Sequence, residues 1–224
     1  ADAIVSTTSM PETILRLLGG RYEAQAMQER LTRWKLFEPI VLVSFGVEQP
    51  YPEVPPLLLI DGIEPVEIGG QTNQHLYIRV GNDDPCFAPT GHCVVQAMLR
   101  TDYTWWATRG SAYHAAKDDV AAAALTQLEP YLPNLRSAVR TVDVATPLTY
   151  WNMARSWRGA YEGWLPSADS LFSHVSKKLH GLDNFYMAGQ WVAPGGGVPT
   201  ALMTGRHAVQ LLCADEKRPF VAGG

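Results

Sequence analysis

Residues 189–208 read GQWVAPGGGVPTALMTGRHA. Gly195, Gly196 and Gly197 stand directly before a run that reads as a helix from Val198 to Cys213. Glycine loses more backbone entropy on ordering than any other residue. Such a triplet is kept where the chain turns sharply or where something approaches the backbone closely. A strand, a tight glycine turn and a helix start together aim unpaired backbone N–H groups outward, and the aligned peptide dipoles place about half a positive charge there. Pro199 suits that first turn, where its missing N–H does no harm. The chemistry on offer is the holding of a phosphate, or of a flat ring able to carry negative charge, at the start of the helix. The competing reading is a plain tight turn joining strand to helix, and glycine spacing alone leaves both open.

Other chemistries find little support in residue types and spacing. A dinucleotide fingerprint G-x-G-x-x-G would need glycine where Thr200 stands, with an acidic residue about 20 positions on. The phosphate loop G-x-x-x-x-G-K-[ST] is also missing. His75, His92, His114, His174, His180 and His207 show no paired ligand spacing, and Cys86-x6-Cys93 is no zinc pattern, so no metal site is expected. No Ser-His-Asp or Cys-His arrangement assembles, G-x-S-x-G is absent, and no catalytic residue can be named. Arg206 faces a phosphate or makes an intrahelical pair, and His92 reads as a surface residue.

The elements that would position these groups follow from patterning. Residues 2–6 read as a short strand. Ser9 with Glu12 forms a capping box with Pro11 in the first turn, opening a helix that carries Ile14, Leu15, Leu17 and Leu18 and stops at Gly19-Gly20. A second helix is expected over 23–34. IVLVSFGVE (40–48) reads as a strand buried on both faces. QPYPEVPPLLLIDG, with four prolines, reads as an extended connector. HLYIRVGN (75–82) and CVVQAMLR (93–100) flank the turn-rich NDDPCFAPTGH as a long-looped hairpin. A helix follows from Ser111, then a strand over 139–146, a short helix from Pro147, and a strand NFYMAG (184–189). The alternation predicts a mixed α/β (α+β) fold. In it residues 1–9 and 139–224 form a partial ligand-binding layer from the two chain ends, and residues 10–138 are a mixed-sheet, helix-containing domain between them.

Composition narrows the class. The 224 residues are 46% hydrophobic and 18% charged, with net charge −4 and no Lys/Arg block, so no nucleic-acid partner is expected. Three cysteines make a disulfide framework improbable and favour a reducing, cytoplasmic setting. No window approaches 18 apolar residues, so no membrane-spanning helix is expected, and no signal peptide is recognised. Trp105-Trp106 forms either an exposed apolar tip for peripheral membrane contact or the packing of a strand end. RGAYEGW, with Trp151 and Trp157, lines an apolar tunnel or belongs to the core. The opening ADAIVSTTS begins without Met and is already strand-like at Ala3–Val5, which is expected of a piece of a longer protein.

Four stretches, in order, carry a resemblance. NFYMAGQWVAPGGGVPTALMTGRHA resembles the C-terminal signature of FAD-dependent phytoene desaturases, shared by carotenoid isomerases and retinol-saturase-like proteins within the amine-oxidase-like superfamily. ADAIVSTTSMPETILRLLG resembles the family's A-D-x-V-V-S-x-x-x-P segment, DPCFAPTGH its D-P-S-x-A-P-x-G-x loop, and ATPLTYWNMARSWRGAYEGW its A-T-P-x-T-[YF] run with the G-[AS]-x-Y-G-W stretch after it. The resemblance spans nearly the whole chain.

It implies the C-terminal part of an FAD-dependent oxidoreductase acting on carbon–carbon double bonds of a lipophilic, polyene-like substrate. The G-x-G-x-x-G half, the implied partner, would lie N-terminal to it in the same protein, leaving this chain alone inactive and without FAD. By resemblance, Gly189 and Gln190 lie beside the ribityl-diphosphate chain, with Gln190 where many members carry Asp or Glu. Gly196, Gly197 and Val198 meet the pyrimidine edge of the isoalloxazine ring. Gly195, Pro199 and Thr200 complete the cofactor-binding set. The alternatives are a binding fragment without flavin and an amine-oxidase-like fragment.

Overall fold

Two short apolar stretches from opposite ends of the chain pair in parallel; most of the remaining elements are strung between them, and α6 follows the second. In chain order the computed structural model contains β1 (Ile4–Ser6), a π-helical turn (Glu12–Leu17), α1 (Ala24–Arg33), β2 (Ile40–Val47), β3 (Leu57–Ile68), β4 (Gln71–Val80) and β5 (Cys93–Arg100). There follow α2 (Tyr103–Ala107), α3 (Tyr113–Leu128), α4 (Leu135–Ala138), β6 (Val139–Ala145), α5 (Pro147–Ala154), β7 (Phe185–Met187) and α6 (Gly197–Asp215). The structure describes residues 2–171, 173 and 175–222, and His174 lies outside that set. The fold is mixed α/β, with one parallel and one antiparallel sheet. The chain divides into two compact units, residues 1–37 with 151–224, and residues 38–150. Residues 10–37, read from the sequence as the start of the central domain, fall in the first unit, where Met10, Ile14, Met27 and Trp34 join its core.

In the first unit β1 and β7 pair Ile4 with Phe185, Val5 with Tyr186 and Ser6 with Met187. Alternation along β7 sends Phe185 and Met187 into a core with Met10, Ile14, Met27 and Trp164, while Tyr186 and Ala188 pack with Ala208, Leu211 and Leu212 of α6. The Ser9 hydroxyl accepts from the Glu12 N–H, one half of the expected capping box; the buried Glu12 carboxylate instead takes the Arg16 guanidinium four residues on. At the far end of α6 the Tyr186 hydroxyl donates to Asp215 at 2.5 Å and Lys178 Nζ donates to the same oxygen at 2.7 Å. The Lys178 and Tyr186 donors hold the Asp215 carboxyl below its usual range.

In the second unit the order is β3-β4-β5-β2-β6, antiparallel throughout. Val41, Val43, Phe45 and Val47 of β2 face a core shared with Ala116, Val120, Ala124 and Leu128 of α3. Their neighbours Leu42, Ser44 and Gly46 are only half-buried, so β2 buries one face fully rather than both. The expected connector 49–62 ends early, because β3 begins at Leu57. Pro55 and Pro56 just before that strand and Pro65 within it hide it from pattern reading, and its edge position, with a register break between Asp61 and Val66, tolerates Pro65.

The β3–β4 turn explains Trp105-Trp106. Trp106 is fully buried and its Nε1 donates to Thr101 Oγ1 at 2.7 Å, while Thr101 Oγ1 donates to the Gly69 carbonyl at 3.1 Å. Trp105 is half-buried, packed on Gly70 with the Arg109 guanidinium 4.2 Å from its ring centre. The exposed apolar tip is therefore not formed, and the pair packs the end of β5 and the start of α2. Among the described residues no helix is long and apolar enough to cross a membrane.

Two outcomes follow. A Cβ at Gly69, where φ is +52°, would collide with Thr101 Oγ1 and the Trp106 indole. Gly69→Ala should therefore cost about 2–3 kcal/mol in urea unfolding. The Tyr186 hydroxyl is pushed up to about 12 from 10.0, chiefly by donating to Asp215 and then by burial. A raised folded-state value means that stability is present below the unfolded value and lost as pH rises through the folded one. The stability gap between wild type and Tyr186→Phe should stay constant through neutral pH and shrink between about pH 10 and 12.

Candidate functional site

The site is built where β1 and β7 end. Parallel strands present ligand-binding crevices at their carboxyl ends, and here the ends are tied to the second turn of α6. Ala188 N–H donates to the Ser6 carbonyl at 2.9 Å, and the next residue, Gly189, donates its N–H to Thr204 Oγ1 at 3.0 Å. Thr204 is fully buried, and its own hydroxyl hydrogen is within reach of the Gly189, Thr200 and Ala201 carbonyls. Gly189 needs φ +101°, with the Thr7 carbonyl 3.2 Å from where a Cβ would stand.

Beyond Gly189 the chain makes a 3-10 turn, Gln190–Val192, that buries Trp191. Trp191 stacks edge-on with Trp164 at 5.4 Å, Trp164 does the same with Trp34 at 5.4 Å, and Trp164 Nε1 donates to the Trp191 carbonyl at 2.9 Å. Trp164 of RGAYEGW is therefore core, not tunnel lining. Trp151 and Trp157, both half-buried, meet edge-on at 6.0 Å.

The three glycines have reasons of their own. Their φ values are +102°, +51° and +73°, a left-handed run that no side-chain-bearing residue adopts cheaply. Gly195 N–H donates to the Trp164 carbonyl at 3.0 Å. At Gly196 a Cβ would land on the Glu162 carbonyl. The space that the sequence suggested for a ligand is, at Gly196, filled by the protein's own backbone.

The same loop leaves the start of α6 without a side-chain cap, since its N-cap is Gly196, and no acidic residue stands in the first turn. Beside that start lies a cleft of about 380 Å³. Its walls are Thr7 and Ser9 after β1, Ala188 to Trp191 after β7, Gly197, Val198, Ala201 and Gly205 along α6, with Ala154 and Ser156 closing it. No lining residue is ionisable. Small apolar walls, a few hydroxyls and the positive end of a 19-residue helix suit a flat, electron-rich ring and offer no proton donor or acceptor tuned for acid–base catalysis.

Of the residues singled out in the sequence, Gly189, Gln190, Gly197 and Val198 meet at this cleft. The Gln190 amide also donates to the Tyr161 carbonyl at 2.7 Å. Gly195 and Gly196 lie outside the lining and shape the loop, and so do Pro199 and Thr200 in the first turn of α6. Arg206 lies over the Phe220 ring at 5.5 Å, away from the cleft. Thr7, Ala154, Ser156, Ala201 and Gly205 were not foreseen, since small residues from separate segments leave no spacing signal. The helical i, i+3, i+7 spacing of Val198, Ala201 and Gly205 was legible only once the facing wall was known. Displaced titrations occur elsewhere. Burial pushes the Cys93 thiol and the Tyr51 hydroxyl up and the Lys177 ammonium down. Among the described residues no three or more His, Cys, Asp or Glu side chains cluster as a metal site.

Thr204→Val should leave the Gly189 N–H unpaired and cost about 1–3 kcal/mol in chemical unfolding. Gly205 has nothing within 4 Å of its Cβ position. Gly205→Ala should therefore be neutral or stabilising by up to about 1 kcal/mol, and a large loss there would contradict an open cleft.

No family model matches the chain. It is 20% identical to a phytoene desaturase (lycopene-forming) from Pseudescherichia vulneris over 229 aligned positions, covering 96% of this chain and 45% of that protein. The similarity is a distant relationship, and the chain spans a little under half the length of that curated relative.

Proposed function

We propose that this chain is the part of an FAD-dependent oxidoreductase that receives the isoalloxazine ring, and that the whole protein changes the oxidation state or geometry of carbon–carbon double bonds in a lipophilic, polyene-like substrate. The observation that carries the proposal is the cleft at the carboxyl ends of β1 and β7 against the uncapped start of α6. The likeness to a phytoene desaturase supports the same reading. When bound, the flavin supplies the hydride chemistry. The residues of this chain hold and orient it. Gly197 and Val198 offer backbone N–H groups to an electron-rich edge, Gln190 and Gly189 flank the ribityl side, and Ala201 and Gly205 admit the ring without a bulky side chain. The helix dipole favours negative charge at that edge and so favours the reduced ring.

The nucleotide-cradling half is proposed to be a separate segment of the same protein. β1 leaves Ile4 54% and Val5 44% exposed on its two faces, in a parallel sheet of only two described strands. Parallel sheets are normally wider and covered on both faces, so β1 is a place for a further strand.

Two preparations test the reading. The 224-residue chain should purify without the visible absorbance of oxidised flavin, and a longer polypeptide containing it should carry stoichiometric FAD. Within the longer polypeptide Gly205→Leu, which fills the cleft with a good helix former, should lose most of the flavin while remaining folded. Undiminished flavin in that variant would place the ring elsewhere.

A further inference from the structure

Serine is a favoured N-cap because its hydroxyl accepts from a backbone N–H two or three residues on. Ser156 stands at that position before the 3-10 turn Trp157–Gly159, yet its hydroxyl caps nothing. Only its carbonyl is used there, accepting from Gly159 N–H at 2.9 Å. The residue is 5% exposed and lines the cleft beside α6. Among the described residues no hydrogen bond engages its Oγ, and the side-chain atoms that are both unpaired and sealed off belong to Thr8, Glu12 and Asn82. Ser156 Oγ is unpaired but not sealed, so it opens onto the cleft. The other two hydroxyls of the lining differ: Ser9 Oγ already accepts from Glu12 N–H at 3.4 Å, and Thr7 is exposed. Left-handed φ at Arg155 (+51°) and Arg158 (+50°) turns the backbone sharply on either side of the serine, and Ala160 anchors the segment in the core. A buried hydroxyl without a partner costs free energy. Its place in the wall points to a ligand atom that completes it.

Resting on the flavin reading above, we infer that the Ser156 hydroxyl binds the isoalloxazine ring at N5. In that reading the first turn of α6 takes the pyrimidine edge, and Gly189 with Gln190 takes the ribityl side, which begins at N10. Of the ring's heteroatoms this leaves N5, across the central ring from N10. Ser156 belongs to a wall separate from α6 and from the ends of β1 and β7. The chemistry of a free hydroxyl fits that atom. N5 is a hydrogen-bond acceptor in the oxidised ring and an N–H donor in the reduced ring. A serine hydroxyl with neither capacity used donates to the first and accepts from the second by turning its hydrogen. A backbone N–H, which can only donate, would serve one state and oppose the other. Ser156 therefore fixes the ring in both oxidation states without bringing a charge into an apolar cleft.

The test compares FAD with 5-deaza-FAD, which carries C–H in place of N5, on the apo form of the longer polypeptide, using dissociation constants from cofactor fluorescence. Wild type should bind FAD about three- to tenfold more tightly than the deaza cofactor, as expected for loss of one hydrogen bond from a neutral donor. Ser156→Ala should bind the two alike. Because the hydroxyl has no partner among the described residues, Ser156→Ala should also leave the urea midpoint of the apo polypeptide unchanged. A clear drop in that midpoint would make the hydroxyl structural and overturn the inference. Equal binding of the two cofactors by wild type, or a preference that survives in Ser156→Ala, overturns the role of Ser156 and leaves the flavin reading standing. Failure of wild type to bind either cofactor overturns both.

Discussion

The first unit depends on three residue pairs. Ile4, Val5 and Ser6 lie beside Phe185, Tyr186 and Met187 in parallel register, and that contact brings the two chain ends together. It is short for a parallel ladder, and it is reinforced from both faces. Phe185 and Met187 are locked by the core that includes Met10, Ile14 and Trp164, and Tyr186 by α6. Thr204 then turns the strand pairing into a site, because its hydroxyl accepts the first N–H beyond the ladder and sets α6 at a fixed depth against Gly189. That buried hydroxyl, with the packing of Tyr186 and Ala188 on α6, joins the strand ends to the helix beside the cleft.

The loop's own geometry is enough to require the glycine triplet. Left-handed φ at all three positions and the contact of Gly196 with Glu162 would demand glycine even in a protein that bound nothing. Gly197 alone of the three lines the cleft. The loop starts α6 without a capping side chain, beside that apolar space.

The periodic elements were legible in the sequence. β5 was read at its observed bounds, and α1, α3, β6 and α6 within a few residues, because each has a strong hydrophobic period or a long run of good helix formers. β3 was missed because Pro55 and Pro56 before it and Pro65 inside it contradict strand patterning, and an edge strand tolerates Pro65. The short α2 was missed because its evidence is a single cap, Asp102 accepting from Trp105 N–H at 2.7 Å. At the site, the glycines, Gln190 and Val198 stood in one contiguous stretch and could be read. The contacts that give them meaning join residues far apart in sequence: Thr7 with Gly189, Glu162 with Gly196, and Trp164 with Trp191. No spacing rule encodes those.

The account turns on where an isoalloxazine ring sits. A crystal structure of the flavin-loaded longer polypeptide measures that directly. The prediction is a ring in the cleft between Gly189 and Gly205, its pyrimidine edge within hydrogen-bond distance of the Gly197 and Val198 N–H groups. A ring bound away from α6, with this cleft free of cofactor, would contradict it.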